Sequence, residues 1–145
     1  MSKNIGNTIY DRSINYYETD QMGIVHHSNY IRYFEEARLD MMEQVGLSYA
    51  AMEEHGLIIP VLSVACEYMK PVLFGDKVQI HTRLVKFDGI KMQFVYEIYC
   101  EGELRTKGES RHCFLDKEMK PVRMKRQFTE IYQRMKELVI TATDK

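Results

Sequence analysis

Cysteine is scarce and unpatterned: the 145 residues hold three, Cys66, Cys100 and Cys113. The count is odd and no two stand as a C-x-x-C pair. A disulfide framework is therefore not expected, and a reducing compartment fits better. Each thiol reads as a small packed hydrophobe. Proline (3) and glycine (8) are also few, and they fall mostly at plausible element boundaries. With no repeat, low-complexity tract or linker, one domain spanning 1–145 is the expectation. Charge of one sign is missing as well, since 20 Lys and Arg face 21 Asp and Glu. That excludes a nucleic-acid binder held by a basic field, but leaves room for a local cationic patch. No apolar run approaches the ~18 residues of a membrane span. The opening Met1-Ser2-Lys3-Asn4-Ile5-Gly6 has no apolar stretch of the signal-peptide kind. These absences together predict a soluble, cytoplasmic protein. What is present is a hydrophobic fraction of 45%, enough to bury a core.

Periodicity assigns the elements. Thr8 to Tyr17 reads as a strand, with Tyr10, Ile14 and Tyr16 on one face at period two. A turn-like stretch follows from Glu18 to Ser28. Asn29 to Val45 reads as an amphipathic helix, because Tyr30, Phe34, Ala37, Met41 and Val45 recur at steps of four and three. Ser28 is its predicted N-cap and Gly46 its C′ residue; Glu36 is placed to pair with Arg32. Ser48 to His55 adds a short helical turn. Leu57 to Cys66 is a largely apolar strand, predicted to be buried on much of both faces. Val78, Ile80, Thr82 and Leu84 alternate with polar residues, Asp88-Gly89 signals a hairpin, and Met92, Phe94, Tyr96 and Ile98 form the returning face. Leu104 to Asp116 is a last strand and Gln127 to Ile140 a terminal helix. One long helix with about five mostly antiparallel strands predicts an α+β domain whose curved sheet wraps the helix.

The segment with most chemical content is Y-Y-E-T-D-Q-M-G-I-V-H-H-S-N-Y-I-R-Y-F-E-E-A-R, Tyr16 to Arg38. It sets an acid at a strand end, a glycine three residues on, then a helix start. A helix start carries unsatisfied N–H groups and the positive end of a dipole. It can hold a carbonyl oxygen that gains negative charge under attack. Gly23 lets backbone come close to a ligand. Asp20 can activate water or attack a carbonyl itself. These are the parts needed to hydrolyse an activated acyl group.

The segment resembles the signature of the 4-hydroxybenzoyl-CoA thioesterase family, in its YbgC-like acyl-CoA thioesterase branch. That signature, D-x-x-G-x-V-x-H-x-x-Y followed by an aromatic and an acid-rich helix ending in A-R, is carried by Asp20, Gly23, Val25, His27, Tyr30, Phe34, Glu35, Ala37 and Arg38. The resemblance extends from about Thr8 to about Val139. It implies a hotdog fold, coenzyme A thioesters as substrates, and a homodimer with two sites at the subunit interface, often paired into a homotetramer. It implies Asp20 as the catalytic carboxylate, the backbone N–H at His27 as the carbonyl-polarising donor, and Tyr16 and His27 as further catalytic residues, with Gly23 and Val25 in the substrate site. It implies neither metal nor cofactor; coenzyme A belongs to the substrate. The coenzyme A phosphates are expected near Lys86 and Lys91 in the hairpin, and near Lys120, Arg123 and Lys125, with Arg123 the best single candidate.

Two other classes bear weighing. A hotdog dehydratase or hydratase uses D-x-N-P-x-H, whereas Gln21-Met22-Gly23 follows Asp20 here. A non-catalytic acyl-CoA sensor is expected to carry a DNA-binding module, and the stretch before Thr8 is too short for one. His26 and His27 cannot easily share a metal ion, and no third ligand has a recognisable spacing.

Overall fold

The computed structural model describes residues 6–143. In order they form β1 (Asn7–Ser13), a 3-10 turn (Tyr16–Glu18), α1 (Ser28–Gln44), α2 (Tyr49–Glu54), β2 (Val61–Tyr68), β3 (Lys77–Phe87), β4 (Lys91–Cys100), β5 (Glu103–Cys113), α3 (Met124–Gln127) and α4 (Thr129–Thr143). The strands make one antiparallel sheet in the order β1-β3-β4-β5-β2. The expected α+β architecture is what the chain adopts. The Asp88-Gly89 hairpin forms as its residues dictate. Gly89 takes φ +88°, and Asp88 Oδ1 accepts the Ile90 and Lys91 N–H groups at 2.8 and 2.7 Å.

The core lies between α1 and one face of the sheet. Val78, Ile80, Thr82 and Leu84 of β3 and Met92, Phe94, Tyr96 and Ile98 of β4 are buried, as are Tyr30, Tyr33, Phe34, Ala37, Met41 and Met42 of α1. Phe34 is the centre of this contact. Its ring stacks on Tyr96 with centroids 4.5 Å apart and lies so close over Gly108 of β5 that a Cβ there would overlap it. Burying one such ring contributes about 1.5–3 kcal/mol.

Beneath α1 runs a chain of buried polar groups. Arg38 donates to the Tyr96 hydroxyl at 3.0 Å and to the Tyr49 hydroxyl at 3.2 Å. Tyr96 shares a hydrogen bond with Ser110 Oγ at 2.6 Å, and Ser110 one with His112 Nε2 at 2.8 Å. His112 is fully buried, and its Nδ1 makes no hydrogen bond among the described residues. Burial, together with the nearby Arg38 charge, pushes its pKa down to about 4.

Four expectations need correction. β1 ends at Ser13, and Tyr16 sits in the 3-10 turn rather than on a strand. The Glu18 side chain closes that turn by accepting the Asn15 N–H at 2.9 Å. The N-cap of α1 is His27 rather than Ser28, whose hydroxyl pairs with His26 Nδ1 at 2.8 Å. Glu36 pairs across to Arg12 of β1 at 2.6 Å, not with Arg32. The apolar strand begins at Val61, four residues later than expected. Far from being buried on both faces, it is a sheet edge with Val61, Leu62, Val64 and Tyr68 exposed. Gly46 does take the left-handed C′ conformation, at φ +78°. The three cysteines are free, as expected.

Candidate active site

The site is built on a loop anchored by Glu18. Arg12 leaves β1 stacked over the Tyr33 ring, 4.4 Å from its centroid. Its guanidinium grips Glu18 with two hydrogen bonds of 2.6 Å. Burial works against the Glu18 charge, but the bonds from Arg12 and the Asn15 N–H prevail and hold its carboxyl below the usual carboxylate range. The Glu18 carbonyl accepts twice, from the His26 N–H at 2.9 Å and from Asn29 Nδ2 at 2.8 Å.

Between these anchors the chain makes a tight reversal. The Asp20 N–H donates to the Ile24 carbonyl at 2.8 Å, and the Gly23 N–H to the Asp20 carbonyl at 3.0 Å. Gly23 takes φ +75°, which favours glycine. The loop is sewn down on the segment before β3, where the Val25 N–H donates to Val72 and the Phe74 N–H to Gly23. Asp20 Oδ1 accepts the Met22 N–H at 2.8 Å and the Ile24 N–H at 3.4 Å. Its Oδ2 has no partner among the described residues.

Asp20, Val25, His27 and Tyr30 line one side of a hollow of about 350 Å³, and Tyr68, Lys70 and Pro71 line the other. Around the start of α1 the N–H groups of His26, Ser28 and Asn29 all have acceptors. That of His27 has none among the described residues. The His27 ring stacks on His26 at 4.2 Å. Tyr68, at the end of β2, donates to the His27 carbonyl at 3.3 Å and packs edge-on to Tyr30. Partial burial and the neighbouring Cys66 push the Tyr68 phenol up to about 12, so it remains a donor at neutral pH.

The structure thus brings Asp20, Gly23, Val25 and His27 together. Tyr16 lies at the edge of this group, exposed, its ring edge-on to Phe74 at 5.4 Å. Lys86 and Lys91 line a separate hollow of about 710 Å³ with Leu62, Ser63 and Arg111. Arg123 caps α3 and belongs to neither hollow, although the next residue, Met124, donates its N–H to Gly89 in the same hairpin. Sequence reasoning missed Tyr68, Lys70 and Arg111. The Pro71 break after β2 was the one signal that this segment turns back toward the loop. Among the described residues no cluster of three or more His, Cys, Asp or Glu is placed to hold a metal ion. No helix there is long and apolar enough to cross a membrane.

Residues 14–135 match the thioesterase-like superfamily. The chain belongs to that family. The chain is similar to a Bacillus subtilis protein, YneP, a candidate acyl-CoA thioesterase by its name, 37% identical over 119 residues, covering 81% of this chain and 86% of that protein. An Aquifex aeolicus protein named as a candidate esterase is 39% identical over 107 residues, covering 74% of this chain and 84% of that one. Among solved structures, a DHNA-CoA thioesterase from Staphylococcus aureus superposes with a TM-score of 0.86 at 34% identity, covering 91% of this chain and 90% of the other. The wrapped helix and five-stranded sheet are the hotdog fold of this thioesterase family, and the chain is a thioester hydrolase of it.

Proposed function

We propose that the protein hydrolyses acyl-CoA thioesters to the free acid and coenzyme A, with Asp20 as general base and the His27 N–H as oxyanion donor. The single observation behind this reading is that one hollow has a carboxylate oxygen without a partner on its wall and, at the start of a 17-residue helix, an N–H without an acceptor. Water held by Asp20 gives up a proton to the carboxylate as its oxygen bonds to the thioester carbon. The carbonyl oxygen becomes an oxyanion against the His27 N–H, favoured by the positive end of α1. Collapse expels the coenzyme A thiolate, which takes the proton back from Asp20. Direct attack by Asp20, giving an anhydride that water then opens, uses the same groups. In this reading Val25 and His27 line the hollow, Gly23 makes the reversal that sets Asp20 on its wall, and Tyr16 stands outside it against Phe74. The chemistry calls for no metal or further cofactor, since coenzyme A arrives with the substrate. The relatives named for acyl-CoA and DHNA-CoA hydrolysis favour this substrate class.

The reading includes a homodimer in the cytoplasm, able to pair into a tetramer. What supports the dimer is the unpaired edge of β2 with its exposed Val61, Leu62, Val64 and Tyr68, next to exposed Ile31 of α1. A long apolar edge strand invites pairing with another strand. In antiparallel pairing with a second copy, the Leu62 end of one β2 meets the Tyr68 end of the other. The cationic hollow of Lys86, Lys91 and Arg111 on one subunit then lies toward the Asp20 hollow of its neighbour, where it suits the phosphates of coenzyme A, with Arg123 flanking.

The test is Asp20→Asn, assayed for thiol release over acyl-CoA esters from acetyl to palmitoyl and benzoyl. The variant should fold and lose about 10³-fold or more in kcat. Parental rates in Asp20→Asn would overturn the assignment, and hydration of an enoyl-CoA without thiol release would favour a hydratase.

A further inference from the structure

We infer that Asn29 is a positioning residue, whose side-chain amide sets the His27 N–H in place opposite Asp20 by way of the Glu18 carbonyl. This rests on the reading of Asp20 and His27 given above. The loop from Thr19 to Ser28 carries both groups, and its two ends converge on one atom. The Glu18 oxygen takes the His26 N–H at 2.9 Å from one side and Asn29 Nδ2 at 2.8 Å from the other. Both lone pairs of that carbonyl are used. The Glu18 residue cannot drift, because its carboxylate is gripped by Arg12 and by the Asn15 N–H. Asn29 itself is buried, and its backbone N–H donates to the His26 carbonyl at 2.9 Å.

These bonds have a specific result. They satisfy the His26 and Asn29 donors that flank this turn, the Ser28 N–H turns to His26 Nδ1, and the His27 N–H is left without an acceptor among the described residues. They also tie the first turn of α1 to the residue two before Asp20. The distance between base and oxyanion donor is therefore set through the Glu18 carbonyl rather than by a direct contact between the two. Without the Asn29 amide, α1 keeps its core packing through Phe34 and Met41, but its first turn loses its direct side-chain tie to Glu18 and is held to the Asp20 loop only through the His26 backbone. A displacement of about 1 Å between reacting groups can cost roughly 100-fold in rate.

The experiment compares Asn29→Ala, Asn29→Asp and Asp20→Asn with the parent, using the acyl-CoA ester the parent cleaves fastest, with melting curves on the same samples. Asn29→Ala should lower kcat about 10- to 100-fold with KM within about twofold. In Asn29→Asp the carboxylate faces the Glu18 carbonyl and repels it, but once protonated it donates to that carbonyl. The ratio of variant to parent kcat should therefore rise as pH falls from 7.5 to 5. The Glu18 carbonyl and the His26 backbone face the position in both proteins, and dividing by the parent removes the pH dependence the two share. A kcat for Asn29→Ala within twofold of the parent, whatever its melting temperature, overturns the inference. If Asn29→Ala does not fold, the Asn29→Asp ratio decides, and a flat ratio overturns it. An inactive Asp20→Asn beside a fully active Asn29→Ala removes the positioning role alone, whereas an active Asp20→Asn removes the reading beneath it.

Discussion

His112 gives the fold a built-in sensitivity to mild acid. The ring is fully buried, hydrogen-bonded to Ser110 and packed edge-on to Phe94, and burial with the nearby Arg38 charge brings its pKa from the ordinary 6.5 to about 4. The unfolded chain therefore binds the proton more tightly than the folded one. Stability from this group is fully present above pH 6.5 and is lost as pH falls toward 4. Between pH 7 and pH 5 the difference in bound protons integrates to about 2 kcal/mol of lost stability. His112→Gln keeps a hydrogen bond to Ser110 but cannot titrate. Urea unfolding followed by circular dichroism, at one protein concentration and at pH 7 and 5, measures both proteins. The parent should lose about 2 kcal/mol more than the variant over that interval. Carboxylates such as Glu18 titrate lower and contribute equally to both. Identical pH dependence in parent and variant would refute the reasoning.

Other consequences can be checked directly. Gly108→Ala drives a methyl into the Phe34 ring, and overpacking of this kind should cost about 1–3 kcal/mol in urea melts. Val64→Asp on the exposed edge of β2 should convert the proposed dimer to monomer by light scattering and abolish turnover with it; an unchanged mass would place the interface elsewhere. Lys91→Glu should raise KM for the acyl-CoA ester roughly fivefold, ~1 kcal/mol, with kcat unchanged and the effect shrinking in high salt.

How far the sequence announced all this depends on what each signal reports. The alternation of β3 and β4 and the four-three spacing of α1 report which face meets the core, and those elements appear where periodicity put them. The same signal misled at β2. An apolar residue reads alike whether it faces the core or lies on an exposed edge, so Leu57 to Cys66 looked like interior strand, while β2, Val61 to Tyr68, is an edge. The loop was legible in its chemistry but not in its route. Asp20, Gly23 and His27 stood out by spacing, while Tyr68 and Lys70 arrive from a distant strand through pairings that no local pattern encodes. Tyr16 fits a strand by period two, but the carboxylate of Glu18 and the backbone of Asn15 close a 3-10 turn there instead. Arg38 was visible as a motif residue. Its place under the helix, holding Tyr96 and Tyr49, follows from a fold that had to be seen.

The contact of Phe34 with Gly108 acts as an alignment pin. A ring seated directly on a strand backbone cannot slide along it, so the axial position of α1 is indexed to the sheet two turns away from the helix start. A single glycine in β5 in this way sets where along the sheet the N-terminal turn of α1, with its His27 N–H, comes to rest.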